Sequence, residues 1–185
     1  MAGQNRATLS TKFTRRDDFL KQGVKCVFIS HQKRDRDEAK KISDYLISAG
    51  LDVYFDEYDR DLKIHNESEN PKAVTSAICR GINNSSHMLV LISPHTIDSK
   101  WVPFEVGYGY DKTDLAVLTL KGIPKGTLPG YVRTAPVVRD IDDLNKLIAR
   151  LKSVEASVLF SRNVVRKHDD YYNPLKGVME TFLAD

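Results

Sequence analysis

Met88-Leu89-Val90-Leu91-Ile92 is the most strongly apolar stretch of this 185-residue chain, and Ser93-Pro94 ends it. A short apolar run that is bounded by turn residues is typical of a strand buried on both faces of a parallel sheet. Four other runs of this kind flank it along the chain: Lys25–Ser30, Asp52–Phe55, Leu115–Leu120 and Pro136–Val138. The sequence therefore predicts five parallel strands.

Amphipathic stretches separate these runs and predict helices between the strands. Asp35 to Ala49 carries its apolar residues on one helical stripe and ends before Gly50, Pro71 suits a first helical turn, and Ile141–Lys152 repeats leucine and isoleucine at helical spacing. We predict an α/β fold, a flavodoxin-like doubly wound sheet with strand order 2-1-3-4-5. Ligands of such sheets bind at the carboxyl ends of the strands, here between Ser30-His31 and Ser93-Pro94.

The length suits one well-buried domain with short extensions. We predict an amino-terminal extension over residues 1–24, a domain over 25–152 and a helical appendage over 153–185. The helices expected in the two extensions lie at Lys12–Gln22 and Tyr171–Leu183.

Composition argues against several functional classes. The net charge is +3, and the basic residues are interleaved with acidic ones, so no stripe suggests a nucleic-acid partner. Neither a secretory leader nor a run long enough to cross a membrane is visible, and Cys26 and Cys79 form no disulfide or CxxC pattern. These observations predict a cytoplasmic protein that binds neither nucleic acid nor membrane.

Trp101 and Glu105 are the first candidate site residues. If the segment is helical, positions i and i+4 share a face, so an aromatic plate would lie beside an anion. That pair suits a planar cation such as a pyridinium ring on a sugar. The alternative is a core tryptophan and a surface carboxylate, and spacing alone favours it. Gly107 and Gly109 favour a binding site instead, because glycine is unfavourable inside a helix but permits a close approach of a ligand or of neighbouring backbone.

Two further stretches also have two interpretations. Ser30 and His31 could bind a phosphate or ribose, or could simply cap the end of a strand. The loop Asp56–Asn70 is longer than most connections, which is typical of a lid or a self-association surface.

Several other chemistries lack their sequence signatures. The chain has no acidic cluster after strand one that a phosphorelay receiver would need, and it lacks the motifs GxGxxG, GxxxxGK[ST] and GxSxG. Its histidines share no metal-ligand spacing with a cysteine or acid, so no metal site is predicted.

Together these segments resemble the TIR (Toll/interleukin-1 receptor) domain family. Val27-Phe28-Ile29-Ser30-His31 followed by Asp35 is similar to its first box, and Leu51–Asp56 is similar to its second strand before the variable BB loop. Leu89–Pro94 and Ser99–Glu105 are similar to the third strand and the WxxxE helix of NAD-cleaving members. Pro103 departs from this pattern and suits only the first turn of that helix.

The resemblance implies that Glu105 is the catalytic glutamate of a NAD+ glycohydrolase or ADP-ribosyl cyclase. NAD+ would be the substrate, and no cofactor is expected. The implied substrate-binding residues are Trp101, Ser30, His31, Phe55, Asp56 and Ser93.

The resemblance also suggests a biological role and partners. A stand-alone enzyme of this kind is similar to the signal-producing subunit of bacterial anti-phage systems of the Thoeris type, whose cyclic ADP-ribose product activates a separate effector. Self-association would use the loop 56–70. The alternatives are a non-catalytic TIR interaction module and an enzyme similar to nucleoside deoxyribosyltransferases.

Overall fold

The fold is built on a five-stranded parallel sheet. A computed structural model describes residues 2–8, 23, 25–55 and 71–181. The strands are β1 (Cys26–Ser30), β2 (Asp52–Tyr54), β3 (His87–Ile92), β4 (Asp114–Thr119) and β5 (Val137–Val138). Their order is β2-β1-β3-β4-β5, and every neighbouring pair is parallel, which confirms the predicted doubly wound topology.

Helices connect the strands and cover both faces of the sheet. They are α1 (Arg36–Ser48), α2 (Pro71–Asn83), α3 (Val102–Gly109), α4 (Ile141–Lys152) and α5 (Ala156–Ser161). Short 3₁₀ turns lie at Lys33–Asp35, Pro94–Asp98 and Gly130–Val132. Within the described ranges, no helix is both long and apolar enough to cross a membrane.

Alternate residues of the central strands enter two separate cores. On β1, Phe28 joins the core beneath α2 and α3, whereas Ile29 joins the core beneath α1 and α4. On β3, Val90 and Leu91 divide in the same way. This alternation follows from the two-residue period of a strand and explains why both faces of each strand are apolar.

Helix α4 illustrates how local sequence fixes an element. The Asp140 side chain caps its amino end by accepting a hydrogen bond from the N–H of Asp143 at 2.8 Å. Leu144 and Ile148 are fully buried one turn apart, and Ser153 ends the helix in a left-handed conformation (φ 53°). The bounds Ile141–Lys152 are those that the sequence predicts.

The end of the chain differs from the prediction. The helix expected over Tyr171–Leu183 is wrong for residues 171–181, which form turns and a parallel bridge between Glu180 and Asp140. Leu175 and Met179 lie in the core, and the N–H of Lys121 donates to the carbonyl of Val178 at 2.8 Å. Packing against the sheet therefore overrides helix formation there. Lys12–Gln22 and Asp56–Asn70 lie outside the described residues, and the three domain boundaries stay predictions.

Gly81 tests how closely α2 packs against the sheet. A Cβ at this buried position would lie 2.6 Å from the Tyr54 ring and 2.9 Å from the Phe28 ring, which are stacked on each other. We expect Gly81→Ala to lower the free energy of unfolding by about 1–3 kcal/mol, the usual range for overpacking. Urea unfolding measures the change.

Gly107→Ala is the matched control, because nothing lies within 4 Å of the position of its added Cβ. There the better helix propensity of alanine should raise the free energy of unfolding by up to about 1 kcal/mol. Equal effects at the two glycines would contradict the close approach of α2.

Candidate active site at the carboxyl ends of the strands

The candidate site lies where the two central strands of the sheet end. Ser30 is the last residue of β1, and it pairs in register with Val90 of β3. After β3, the chain makes the 3₁₀ turn Pro94–Asp98 and enters α3, which packs against β1 and β3. The topology therefore places α3 beside the carboxyl ends of β1 and β3.

Glu105 is buried at this point. It is 4% exposed, and its Oε2 accepts a hydrogen bond from the Ser30 hydroxyl at 2.5 Å. A carboxylate is costly to bury unless polar groups satisfy it, and hydrogen bonds to charged groups are the strong ones. The first turn of α3 also favours a negative side chain, since the helix dipole is positive there.

Trp101 occupies the cap position before α3. Its carbonyl accepts the N–H of Glu105 at 2.8 Å, so Trp101 and Glu105 lie one turn apart as their spacing predicts. The indole is half-buried and meets the ring of Phe104 edge-on, with 6.0 Å between centroids. Pro103 is the second helical residue, where its missing N–H removes no bond from the helix.

His31 and Phe55 form a second pair beside Ser30. Their ring centroids are 5.1 Å apart, and the His31 Nδ1 lies 3.2 Å from the carbonyl oxygen of Ile29. His31 is half-buried, whereas Phe55 is fully buried. Phe55 therefore lies behind His31 and supports the imidazole, and its own contact with substrate stays a prediction. Asp56 lies outside the described residues.

Ser93 is used by the fold itself. Its hydroxyl donates to Oδ2 of Asp35 at 2.5 Å and accepts the N–H of His95 at 3.0 Å. Its own N–H donates to the Thr96 hydroxyl at 2.9 Å, which completes a capping box. The Ser93 side chain is thus directed at Asp35 and fixes the loop after β3, while the substrate contact that the resemblance implies stays a prediction.

Five of the seven predicted site residues are joined by three contacts. Ser30 meets Glu105, His31 meets Phe55, and Trp101 precedes Glu105 by one turn. Asp35, which the sequence offers only as part of the first box, proves to be the partner of Ser93. No group of three or more His, Cys, Asp or Glu residues among those described could hold a metal ion.

A cavity of about 390 Å³ lies at the opposite end of the strands, where they begin, with Lys25, His87, Asp114 and Arg150 in its lining. Burial lowers the pKa of His87 below 6.5, Asp114 opposes this effect, and Lys25 and Arg150 add to it. The amino ends of β1, β3 and β4 line the cavity, whereas Glu105 lies at the carboxyl ends.

These features can be compared with known proteins. The family model of the TIR domain matches residues 27–151. The chain belongs to the TIR domain family. The match covers the five strands except Cys26 of β1, so the fold is that of a TIR domain.

Two curated TIR proteins are similar to this chain. It is 36% identical over 80 residues to "NAD(+) hydrolase TirS" of Staphylococcus aureus (strain MSSA476), with 43% of this chain and 26% of that protein covered. It is 26% identical over 108 residues to "2' cyclic ADP-D-ribose synthase BtTIR" of Bacteroides thetaiotaomicron, with 57% and 35% covered. The chain thus spans about a quarter to a third of the length of these relatives.

The Ser30–Glu105 hydrogen bond can be measured without any substrate. In a double-mutant cycle of Ser30→Ala and Glu105→Ala, we expect a coupling free energy of about 1.5–3 kcal/mol, since the acceptor is a buried carboxylate. Urea unfolding of the four proteins gives this value. Additivity within about 0.5 kcal/mol would show that the two side chains do not interact.

His87 should make stability depend on pH. Its folded pKa lies below the ordinary value of 6.5, so the unfolded chain binds a proton more readily. Stability is therefore full above pH 6.5 and falls as the pH drops from 6.5 through the lowered pKa. Unfolding between pH 7.5 and 5 should show a smaller loss for His87→Gln, and equal losses in both proteins would contradict the assignment.

Proposed function

We propose that this TIR domain cleaves the bond between nicotinamide and ribose in NAD+, with Glu105 as the catalytic carboxylate. The buried Glu105 held by Ser30, at the edge of the sheet where doubly wound folds bind ligands, is the observation that carries the proposal. The names of the two relatives, a NAD(+) hydrolase and a cyclic ADP-ribose synthase, support it.

A single carboxylate suffices for this reaction because of the leaving group. Glycosidases usually need a second acid to protonate the departing oxygen. Nicotinamide in NAD+ is already a cationic pyridinium, and it leaves as a neutral base when the C1′–N bond breaks with its electron pair. What remains is to stabilise the oxocarbenium character that develops on the ribose.

Glu105 is suited to that task by its charge and its fixed position. A carboxylate about 4 Å from a developing positive charge contributes up to about 4 kcal/mol at an effective dielectric constant of about 20. That free energy corresponds to about three orders of magnitude in rate. The hydrogen bond from Ser30 holds one carboxylate oxygen before the substrate arrives, so little reorganisation is needed in the transition state.

The neighbouring side chains suit the rest of the substrate. The half-buried indole of Trp101 offers an aromatic face to the pyridinium ring. His31 offers an imidazole to a ribose hydroxyl or a phosphate, with Phe55 behind it. Asp56, outside the described residues, stays a predicted contact.

Two outcomes are open to the ribosyl cation. Attack by water gives ADP-ribose, whereas attack by a hydroxyl or adenine nitrogen of the same molecule gives a cyclic isomer. We propose the cyclic product as a diffusible signal to a separate effector, in an anti-phage system of the Thoeris type. Self-association through residues 56–70 stays a prediction of the sequence.

Glu105→Gln tests the catalytic assignment, because it removes the charge and changes the shape little. We expect release of nicotinamide from NAD+ to fall about a thousandfold, the factor estimated above for the carboxylate. Chromatography of the reaction detects nicotinamide, ADP-ribose and any cyclic isomer separately. The urea midpoint of the variant reports whether the fold is retained.

Glu155→Gln is the matched control, since Glu155 is exposed and precedes α5 rather than α3. It should cleave NAD+ at the wild-type rate. Turnover by Glu105→Gln close to wild type would remove the assignment. A deoxynucleoside with a neutral base should not be cleaved, and rapid cleavage of it would favour the transferase-like alternative instead.

A further inference from the structure

Residues 2–8, here called the amino-terminal strap, lie along the outer edge of the sheet. Strand β2 is the edge strand, and its Val53 donates an N–H to the carbonyl of Gln4 at 3.0 Å. Asn5 and Val53 form a parallel bridge, and the N–H of Gly3 donates to the carbonyl of Ile47 at 2.8 Å. The strap thus satisfies backbone groups that an edge strand would otherwise expose.

A buried ion pair anchors the strap. The Arg6 guanidinium donates to Oδ2 of Asp52 at 2.7 Å, and the two side chains are only 4% and 8% exposed. Arg6 also donates to the carbonyl of Asn84 at 3.2 Å, and Oδ1 of Asp52 accepts the N–H of Gln4 at 3.1 Å. A buried charge pair with these extra hydrogen bonds fixes the register of the strap on β2.

The side chain of Asn5 binds Phe55, the residue that directly follows β2. Its Oδ1 accepts the N–H of Phe55 at 3.2 Å, and its Nδ2 donates to the carbonyl of Phe55 at 3.4 Å. The same Oδ1 accepts the N–H of Ala7 at 3.1 Å, which orients the amide. One side chain therefore makes with Phe55 the two bonds that a neighbouring strand would make.

Phe55 connects Asn5 to the candidate site through His31. Its buried ring lies 5.1 Å from the imidazole of His31, centroid to centroid. His31 directly follows Ser30, whose hydroxyl holds Glu105. A continuous set of contacts thus runs from Asn5 on the outer edge to the residue that we assign to the ribose or phosphates.

We propose that Asn5 is a positioning residue of the substrate site, which acts through Phe55 and His31. The kinetic part of this inference rests on the proposed NAD+ cleavage. Asn5 is about 50 residues from its partner in sequence and reaches it only because the strap is docked.

Asn5→Ala is the first test. Loss of the amide removes the two hydrogen bonds between Asn5 and the backbone of Phe55, so the KM for NAD+ should rise about fivefold, the factor that corresponds to one net hydrogen bond. The kcat should change less than about twofold, because the Ser30–Glu105 pair is not altered. Asn5→Asp, which keeps an acceptor for the N–H of Phe55 but loses the donor, should give an intermediate KM.

Gln4→Ala is the matched control in the same segment. The side chain of Gln4 is exposed, and the bonds of Gln4 described above use only its backbone. This variant should keep both kinetic constants. An unchanged KM in Asn5→Ala, or a fall in kcat alone, would overturn the positioning role.

A second readout needs no substrate. The ring of Phe55, 5.1 Å from the imidazole of His31, should shift the imidazole proton signals in the NMR spectrum, and loss of these signals in His31→Gln assigns them. Asn5→Ala should move them, and Gln4→Ala should not. Unmoved signals in a folded Asn5→Ala protein would overturn the inference.

Gly3→Ala provides an independent route if Asn5→Ala does not fold. A Cβ at Gly3 would overlap the carbonyl of Leu51, so this change displaces the start of the strap and leaves the Asn5 side chain intact. Gly3→Ala should move the His31 signals. Unmoved signals would overturn the inference that the docked strap positions His31.

The two proposals can fail separately. If the wild-type protein releases no nicotinamide but Asn5→Ala moves the His31 signals, NAD+ cleavage fails while the positioning of His31 stands. If the wild-type protein cleaves NAD+ and Asn5→Ala is wild type in both readouts, the role of Asn5 fails alone.

Discussion

The hydrogen bond between Ser30 and Glu105 is the interaction on which the candidate site depends. A carboxylate that is 4% exposed needs polar partners, and the last residue of a central strand supplies one at 2.5 Å. Ser30 itself cannot move far, because β1 is paired with β2 on one side and β3 on the other. The sheet therefore fixes the position of Ser30, and through Ser30 that of Glu105, the acidic group that the proposed chemistry uses.

Three adjacent strand ends are fixed in a similar way. A polar side chain from a distant part of the sequence meets each end: Asn5 at Phe55 after β2, Glu105 at Ser30 of β1, and Asp35 at Ser93 after β3. The separations along the chain are 50, 75 and 58 residues, so these contacts exist only once the sheet has formed. The site and the folded sheet are therefore expected to form together.

The sequence alone was sufficient for the sheet and for the position of Glu105. Apolar runs and helical spacing are local signals, and that of α4 was strong enough to give the bounds of the helix. The strand order followed from the alternation of strands with helices and from right-handed crossovers. Residues 171–181 were misjudged because Leu175, Val178 and Met179 have helical spacing although the segment forms turns. Burial by distant partners, which the local pattern does not show, accounts for these apolar residues.

The roles of Ser93, Phe55 and Asn5 could not be predicted for a related reason. Ser93 and Phe55 stand at the predicted ligand edge, yet one is directed at Asp35 and the other is buried behind His31. Asn5 lies in a polar segment with no apolar pattern, and it is brought to the sheet by the buried pair of Arg6 and Asp52 and by backbone bonds to β2. Placing a residue at an edge is thus easier than knowing which way its side chain points.

The most direct test of the account is a crystal structure of the protein with a carbocyclic NAD+ analogue, whose bond to nicotinamide cannot be cleaved. We expect the Glu105 carboxylate about 4 Å from C1′ of the nicotinamide riboside, the distance at which its charge stabilises the developing cation. An analogue bound with this carbon out of contact with Glu105 would contradict the proposed chemistry, although the fold would stand.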